Sequence, residues 1–555
     1  MTRPSSLLSL ATLALVLAGG PIALRALLHA EEAPRAGKPA PGIEPITEAQ
    51  LRNYLAFIAA DALEGRKAPS RGLDAAAAFL ASHMARLGLR PAGDNGTYLQ
   101  SIALTQRRVD MDKTSLAVGK RTLVFGDDFL PGQVPGTVEG PVVYVGNGTV
   151  IRSRGVDPYK DLDVTGKIVV SNTGLPAGLT SADLKGPSGD DWESTEQAAG
   201  RRGAVAVLFL PDYGALERWP VTRESLRTRT ALSVDAFAQS GDARTLPTAT
   251  LSARGVGALF TGRQVSAQET FQRAVRREPA APFAFPADIV VRLAVATTDD
   301  HLTTNNVVAV LEGSDPVLKH EYVAVGAHYD HLGTAARPDA AGDAIYNGAD
   351  DDGSGTVSLL AMAEAFATSR VRPKRSILFV WHTGEEAGLW GSRYFTDHPT
   401  VPLDQIVAQL NIDMIGRSRA AGTPRATTAL PLTDPDTVYV VGSKRLSADL
   451  GGLVEQVNER GHGLHLDYSL DDPSDPARIY QRSDHYQYAK HGIPIAFFFT
   501  GVHGDYHGLD DEIDRIDFGK MRRIAQMVYD TARTIANRPA RPKLDAPRAA
   551  TSATR

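Results

Sequence analysis

"EYVAVGAHYDHLG", residues 321–333, holds an unbroken apolar run that ends abruptly on His328 and Asp330. A strand exposed on one face alternates apolar and polar residues, so a continuous run such as "YVAVGA" belongs to a strand buried on both faces. Further along come "NGADDDGSGTVSLLAMAEAFATS" (347–369), "RSILFVWHTGEEAGLWGS" (375–392), "QIVAQLNIDMIG" (405–416) and "DHYQYAKHGIPIAFFFTG" (484–501). Leu359, Met362, Ala363 and Phe366 form a helical stripe, while "SILFVW" and "IAFFF" are again continuous apolar strands. Strand and helix alternate, which predicts an α/β domain with a mainly parallel central sheet flanked by helices.

The chemistry-bearing residues fall at the strand ends. His328 follows "YVAVGA", Glu385 and Glu386 follow "SILFVWHTG", Asp413 ends "VAQLNI", and His507 lies beyond "IAFFFTG". In an open α/β sheet ligands bind outside the carboxyl ends of the strands, so four strand ends deliver these groups to one crevice. Asp350, Asp351 and Asp352 sit in the loop before the helix that starts near Thr356. Taken singly, each has an ordinary explanation: a hydrogen-bonded histidine, an acidic pair at a helix N-terminus, a solvated acidic turn. An aspartate closing an apolar strand is harder to dismiss, because burying an unpaired carboxylate is costly. Together they call for one or two cations. With 0 Cys among 555 residues, thiolate ligands and disulfides are excluded. A set of histidines and carboxylates suits Zn²⁺, and also Mn²⁺ or Co²⁺. Chemistry alone does not choose among Asp350, Asp351 and Asp352.

The motifs "GAHYDHLG", "NGADDDGSG", "GEEAGLWGS", "NIDMIG" and "GDYHGLDD", in this order, resemble those of the M28 family of zinc peptidases, which includes secreted bacterial aminopeptidases. "LAFIAADALEGR" and "GLRPAG" resemble the amino-terminal helices of its secreted members, and "TGKIVVSN" to "LPTATLS" resembles the protease-associated (PA) domain often inserted in the family. The resemblance implies a zinc-exopeptidase fold carrying a small β-rich α+β insert. It implies two Zn²⁺ per chain, one held by His328 and Asp413, the other by Glu386 and His507, with Asp351 bridging them and a cis peptide bond after Asp351. Glu385 matches the general base and Tyr506 the donor to the developing oxyanion; Asp330 matches a residue orienting His328. In "YHGLDD" Leu509 stands where the family commonly has proline, which puts the rigidity of that loop in question. His503, in the same stretch, reads as a hydrogen-bonding loop residue.

The implied activity is hydrolysis of amino-terminal residues from peptide substrates. A carboxypeptidase or dipeptidase, a glutaminyl cyclase using a single zinc, and a catalytically silent receptor-like protein are the alternatives; the full ligand set argues most strongly against the last. Nothing in the composition points to nucleic acid: the formal net charge is -5 and no basic patch interleaved with aromatics occurs.

Length alone predicts two or three domains. Residues 1–30, with Arg3 before "LLSLATLALVLAGG", read as a secretory signal cleaved after "LHA", or alternatively as an uncleaved membrane anchor. The first reading places the protein in the periplasm or outside the cell with no stable membrane partner. A Pro/Ala/Gly-rich linker (31–44) follows, then an amino-terminal part of the peptidase domain (45–138), the insert (139–280), the catalytic domain (281–537) and a Pro/Ala/Arg-rich tail (538–555) expected to be disordered. Oligomeric state is not legible.

Overall fold

In the computed structural model, residues 46–545 are described apart from 186–187, 227, 239–245, 261–265, 277, 279–280, 287, 425–427, 473–474 and 476. The signal, anchor and linker readings fall on residues outside this range. No helix among the described residues is long and apolar enough to cross a membrane.

The larger sheet has ten strands. Nine of them are β1 (Leu99–Val109), β2 (Thr230–Val234), β3 (Thr297–Leu311), β4 (Tyr322–His328), β5 (Ser376–His382), β6 (Ile406–Ile412), β7 (Thr437–Val441), β8 (His465–Asp467) and β9 (Ile495–Phe499). Their spatial order is β2-β1-β3-β5-β4-β6-β9-β7-β8, and the short strand Arg90–Pro91 pairs with β3. The four strands at the centre, β5, β4, β6 and β9, are mutually parallel. Most strands outside them pair antiparallel, so the sheet is mixed.

Alternation within β5 shows why its sequence is apolar throughout. Ile377, Phe379 and Trp381 enter one core, shared with helices α1 (Glu48–Ile58), α2 (Arg71–Arg86), α3 (Gly355–Thr368) and α4 (Phe518–Asn537). Leu378 and Val380 enter the other, against Phe395 and Tyr488 from the short helices of the opposite face. Successive strand side chains point to opposite faces, and both faces are covered. The amino-terminal helices are integral to this layer: α1 starts with a capping box between Thr47 and Gln50, and Leu51, Leu55 and Ile58 are fully buried.

A second sheet of nine strands lies between β1 and β3 in the chain. Its centre is a parallel set, Gly136–Asn147, Ile168–Asn172, Ala206–Leu210 and Thr248–Leu251. It is wider than residues 139–280, because Ser115–Val118, Arg121–Leu123, Phe129–Pro131 and Val290–Val295 also belong to it. Ser115–Val118, Arg121–Leu123 and Phe129–Pro131 span only three or four residues each, too few for the sequence pattern to separate them from loops. The stretch Thr230–Val234, conversely, leaves the insert to pair with β1. Both ends of the insert emerge from neighbouring strands, since β1 and β3 pair antiparallel from Leu99↔Val307 to Val109↔Thr297. "GVGALF" is part of a helix, Ala253–Phe260.

The tail also departs from expectation over residues 538–545. Arg541 donates to Glu321 and to the Asp404 carbonyl, and the Lys543 carbonyl accepts from Ser447 Oγ. Residues 546–555 lie outside the described range.

Close packing where α3 begins gives a test. A Cβ on Gly355 would lie 2.4 Å from Asp352 Oδ1 and 2.5 Å from the Ile412 carbonyl oxygen. Alanine is the better helix former by ~1 kcal/mol, yet this overlap should outweigh it by ~1–3 kcal/mol. Gly355→Ala is expected to lower the unfolding temperature in a thermal melt; a rise would show that the turn relaxes freely.

Candidate metal centre

The four parallel strands end side by side, and each end carries part of the centre. His328 is the last residue of β4, Glu385 and Glu386 follow β5, Asp413 follows β6, and Tyr506 and His507 lie beyond β9. The loop 347–354 between β4 and α3 supplies the three aspartates. All three are buried, and the structure gives each a different environment.

Asp352 is taken up by backbone donors. Its Oδ1 accepts from Gly355 N at 2.9 Å and Met414 N at 3.2 Å, and its Oδ2 accepts from His328 N at 3.2 Å. It therefore ties together the start of α3 and the ends of β4 and β6. Asp350 accepts from Gly416 N at 2.6 Å. Asp351 alone turns both oxygens to the histidines. Its Oδ1 lies 3.2 Å from His328 Nε2, and its Oδ2 lies 3.1 Å from His507 Nε2. The peptide bond between Asp351 and Asp352 is cis. The Asp511 carboxylate caps the turn, accepting from Asp350 N and Asp351 N.

Two groups of candidate ligands share Asp351. One is His328, Asp351 and Asp413; the other is His331, Asp351 and Glu386. In the first, His328 Nε2 is 3.6 Å from Asp413 Oδ1. His328 Nδ1 lies 3.2 Å from the Asp330 carbonyl oxygen, which can only accept, so Nδ1 carries the proton and Nε2 faces the site with its lone pair. Asp330 thus reaches His328 through its carbonyl. Its carboxylate Oδ1 lies farther away, at 3.8 Å, and instead accepts from Glu385 N at 3.1 Å. Ser483 Oγ donates to Asp413 Oδ2 at 2.7 Å and fixes that carboxylate. In the second group, His507 Nε2 stands 3.1 Å from Glu386 Oε2.

Charge runs short in this crevice. Burial pushes the Glu385 carboxyl well above its usual range, opposed by His328 and reinforced by Asp413, Asp484 and Glu386. Burial also pushes Asp330 up to about 7. Asp351 goes the other way: burial would raise it, but its contacts with His328 and His507 hold it well below. Burial would lower His507, yet Asp351 and Glu386 drive it up to about 10. Asp330 Oδ2 and Glu386 Oε1 are buried without a hydrogen-bond partner. Nitrogen and oxygen donors converging on shared carboxylates, with orphaned oxygens among them, fit divalent cations.

Tyr506 stacks on His507, ring centroids 3.8 Å apart, and packs against the cluster containing Phe499 and Met414. Burial, with Asp351, Glu386 and Asp413 nearby, raises its phenol above the ordinary value, so it stays protonated. His503 is set apart: it is buried, its Nε2 is 3.5 Å from Asp350 Oδ2, and burial lowers it to about 4. Where Leu509 replaces the proline, the loop is held by Tyr506 N to the His503 carbonyl, Gly508 N to the Asp505 carbonyl, and the Arg417–Asp505 ion pair. Beside the centre is an open pocket that includes His328, Glu385, Tyr506 and Arg482 and has an apolar wall of Met414, Leu430, Ile479, Phe497, Phe499 and Val502.

Two residues were missed from sequence. His331 lies three positions after His328 in "GAHYDHLG", a visible signal beside the first histidine. Arg66, closing "LAFIAADALEGR", is fully buried and donates to the carbonyls of Ile58, Tyr329, Asn347 and Gly348. It joins the amino-terminal segment to both ligand-bearing loops. Burial lowers it only to about 10, so it remains a cation at neutral pH. Among the described residues, neither candidate ligand group draws on the second sheet.

Residues 306–532 match the model of peptidase family M28. The chain is 32% identical over 218 residues to a probable leucine aminopeptidase 2 of Aspergillus oryzae, covering 39% of this chain and 37% of that protein. It is 26% identical over 279 residues to leucine aminopeptidase 2 of Trichophyton equinum, covering 46% and 50%. It thus spans half or less of the length of these curated relatives. Among solved structures it is similar to an aminopeptidase from Aneurinibacillus sp. strain AM-1 (18% identity, TM-score 0.48, 90% and 96% covered). A zinc aminopeptidase from Bacillus subtilis is similar to the same degree (18%, TM-score 0.46, 88% and 95%). This family match covers less than half of the chain.

The Arg66 clamp is directly testable. Arg66→Met keeps bulk but strands four buried carbonyls, and hydrogen bonds from a charged donor contribute ~1.5–3 kcal/mol each. A loss on the order of 3 kcal/mol or more is expected, read as a drop of several degrees in unfolding temperature together with reduced metal content. An unchanged melt would show that the loops hold themselves.

Proposed function

We propose that the chain is a two-cation aminopeptidase that removes amino-terminal residues with apolar side chains from peptides, with Zn²⁺ as its native ion. The observation that supports this most is Asp351, whose two oxygens face two separate histidines, each backed by a further carboxylate. His328, Asp351 and Asp413 would hold one ion; Asp351, Glu386 and His507 would hold the other. When bound, the ions supply Lewis acidity toward the scissile carbonyl and toward the attacking water.

The protein's own residues then account for the proton traffic. Glu385 lies on the cavity wall beside His328 and Asp413, and its raised affinity for protons suits a general base. It takes a proton from the attacking water and returns it to the leaving amine. Its backbone N–H, held by Asp330, fixes the start of the loop that carries it. Tyr506, protonated and in the same cavity, donates to the oxygen on which negative charge develops. The apolar wall receives the side chain of the residue released, and the names of the fungal relatives agree with such a preference.

Glu385 and Glu386 are adjacent, and one experiment separates their roles. Metal analysis of the purified protein should approach two ions per chain, chelation should abolish hydrolysis of free-amino peptides, and amino-blocked peptides should be poor substrates from the outset. Glu385→Gln should keep both ions yet lose ~10²- to 10⁴-fold in kcat. Glu386→Gln should lose one ion and recover partly in excess Zn²⁺. Rescue of Glu385→Gln by metal would reverse the assignment, and one ion at full activity would favour a cyclase-like site.

A further inference from the structure

His331 stands on the Glu386 side of the centre and has no role in the proposed function. Its backbone N–H donates to the Arg66 carbonyl at 3.1 Å, and Lys67 forms a β-bridge with it, so the buried amino-terminal segment fixes its position. Its side chain is 0% exposed. Neither ring nitrogen has a hydrogen-bond partner. A buried imidazole left this way is costly, since an unsatisfied polar group loses its hydration without return.

The nearest atoms explain the arrangement. His331 Nδ1 lies 2.8 Å from Glu386 Oε1 and 3.8 Å from Asp351 Oδ2. The 2.8 Å approach lacks hydrogen-bond geometry, and Glu386 Oε1 is itself without a partner. Two atoms that approach closely without bonding to each other are what two ligands of one ion look like. With Zn–N and Zn–O distances of about 2.0–2.2 Å, ligand atoms stand about 2.9 Å apart at right angles and about 3.4 Å apart in a tetrahedron, a range bracketed by the 2.8 Å and 3.8 Å approaches. On the far side, His507 Nε2 meets the same two carboxylates, its ring centroid 5.8 Å from that of His331.

We propose that His331 is an additional ligand of the second cation, so that this site takes two imidazoles, His331 and His507, with the carboxylates of Asp351 and Glu386, while the first site takes one imidazole, His328. This rests on the two-cation reading above. The consequence is an asymmetric pair: the second site is richer in neutral nitrogen and holds one more side-chain ligand than the first.

The test counts ligands in the full-length protein loaded with Co²⁺. Each cobalt-bound imidazole retaining an N–H gives a hyperfine-shifted proton resonance that disappears in D₂O. Three are expected in the wild type and two in His331→Ala. Affinity for the second ion, measured by competition with a chromophoric chelator, should fall by more than the ~10- to 100-fold typical of losing an outer hydrogen-bonding partner, with the first site little changed. Two such resonances in a wild-type protein holding two cobalt ions would overturn the inference and reduce His331 to orienting Glu386. The wild-type count stands even if the variant folds poorly. A wild type holding one ion or none would instead remove the two-cation reading itself.

Discussion

Three consecutive carboxylates buried at one turn are the constraint to which the rest of the centre answers. Like charges so close raise each other's energy, and burial compounds it. The protein resolves this by giving the neighbours different partners. Asp352 receives three backbone N–H groups, Asp350 receives one from Gly416, and the backbone between them is pinned by Asp511. Asp351 differs in having a histidine nitrogen against each of its two carboxylate oxygens. The chain direction that lets Asp352 tie β4 to β6 is the same one that points Asp351 outward between His328 and His507. Support of the fold and presentation of the ligand are therefore set by one turn.

Arg66 extends this logic to the amino-terminal segment. A guanidinium that donates to four carbonyls from three separate stretches holds the loop after β4 and the aspartate loop in register. Its charge also lies near Asp330, Asp351, Asp352 and Asp511, all of which favour its protonated form. It offsets part of the negative charge while staying off the candidate ligand atoms. The helices before residue 99 are thus a structural part of the centre, although the family match begins only at residue 306.

Much of this was legible in the sequence, and the reasons are specific. Runs such as "YVAVGA" and "SILFVW" announce strands covered on both faces, and a polar residue ending such a run has few places to go except a ligand crevice. His328 and Asp413 are of this kind, and the structure brings them within reach of Asp351. Choosing Asp351 over its neighbours required either the family pattern or the coordinates, because the three differ only in what the backbone offers them. His331 was hidden by proximity: beside His328 it reads as part of the same motif, and its separate direction depends on the Arg66 segment, hundreds of residues away in β-bridge with it through Lys67. The outer strands of the second sheet were illegible for a different reason. At three or four residues each, they present too few side chains for a period of two to emerge.

Contrast between His503 and His507 shows how position, more than residue type, decides a histidine's chemistry. Both lie in one short loop beyond β9, and both face aspartates of the same turn. His503 is buried against Asp350 and Asp511, groups that burial pushes toward their neutral forms, and Arg417 lies nearby. Burial and Arg417 outweigh the ionised Asp505, 3.9 Å from Nδ1, and the imidazole stays neutral. His507 keeps a side-chain exposure of 35% and meets Asp351 and Glu386, two carboxylates held in their ionised forms. Four residues of separation are enough to move an imidazole from one side of Asp351 to the other, from a site where protonation is suppressed to one where a positive charge is strongly favoured. A divalent cation between Asp351 and Glu386 would meet the same preference, on the side of the candidate centre where the His507 ring is partly exposed.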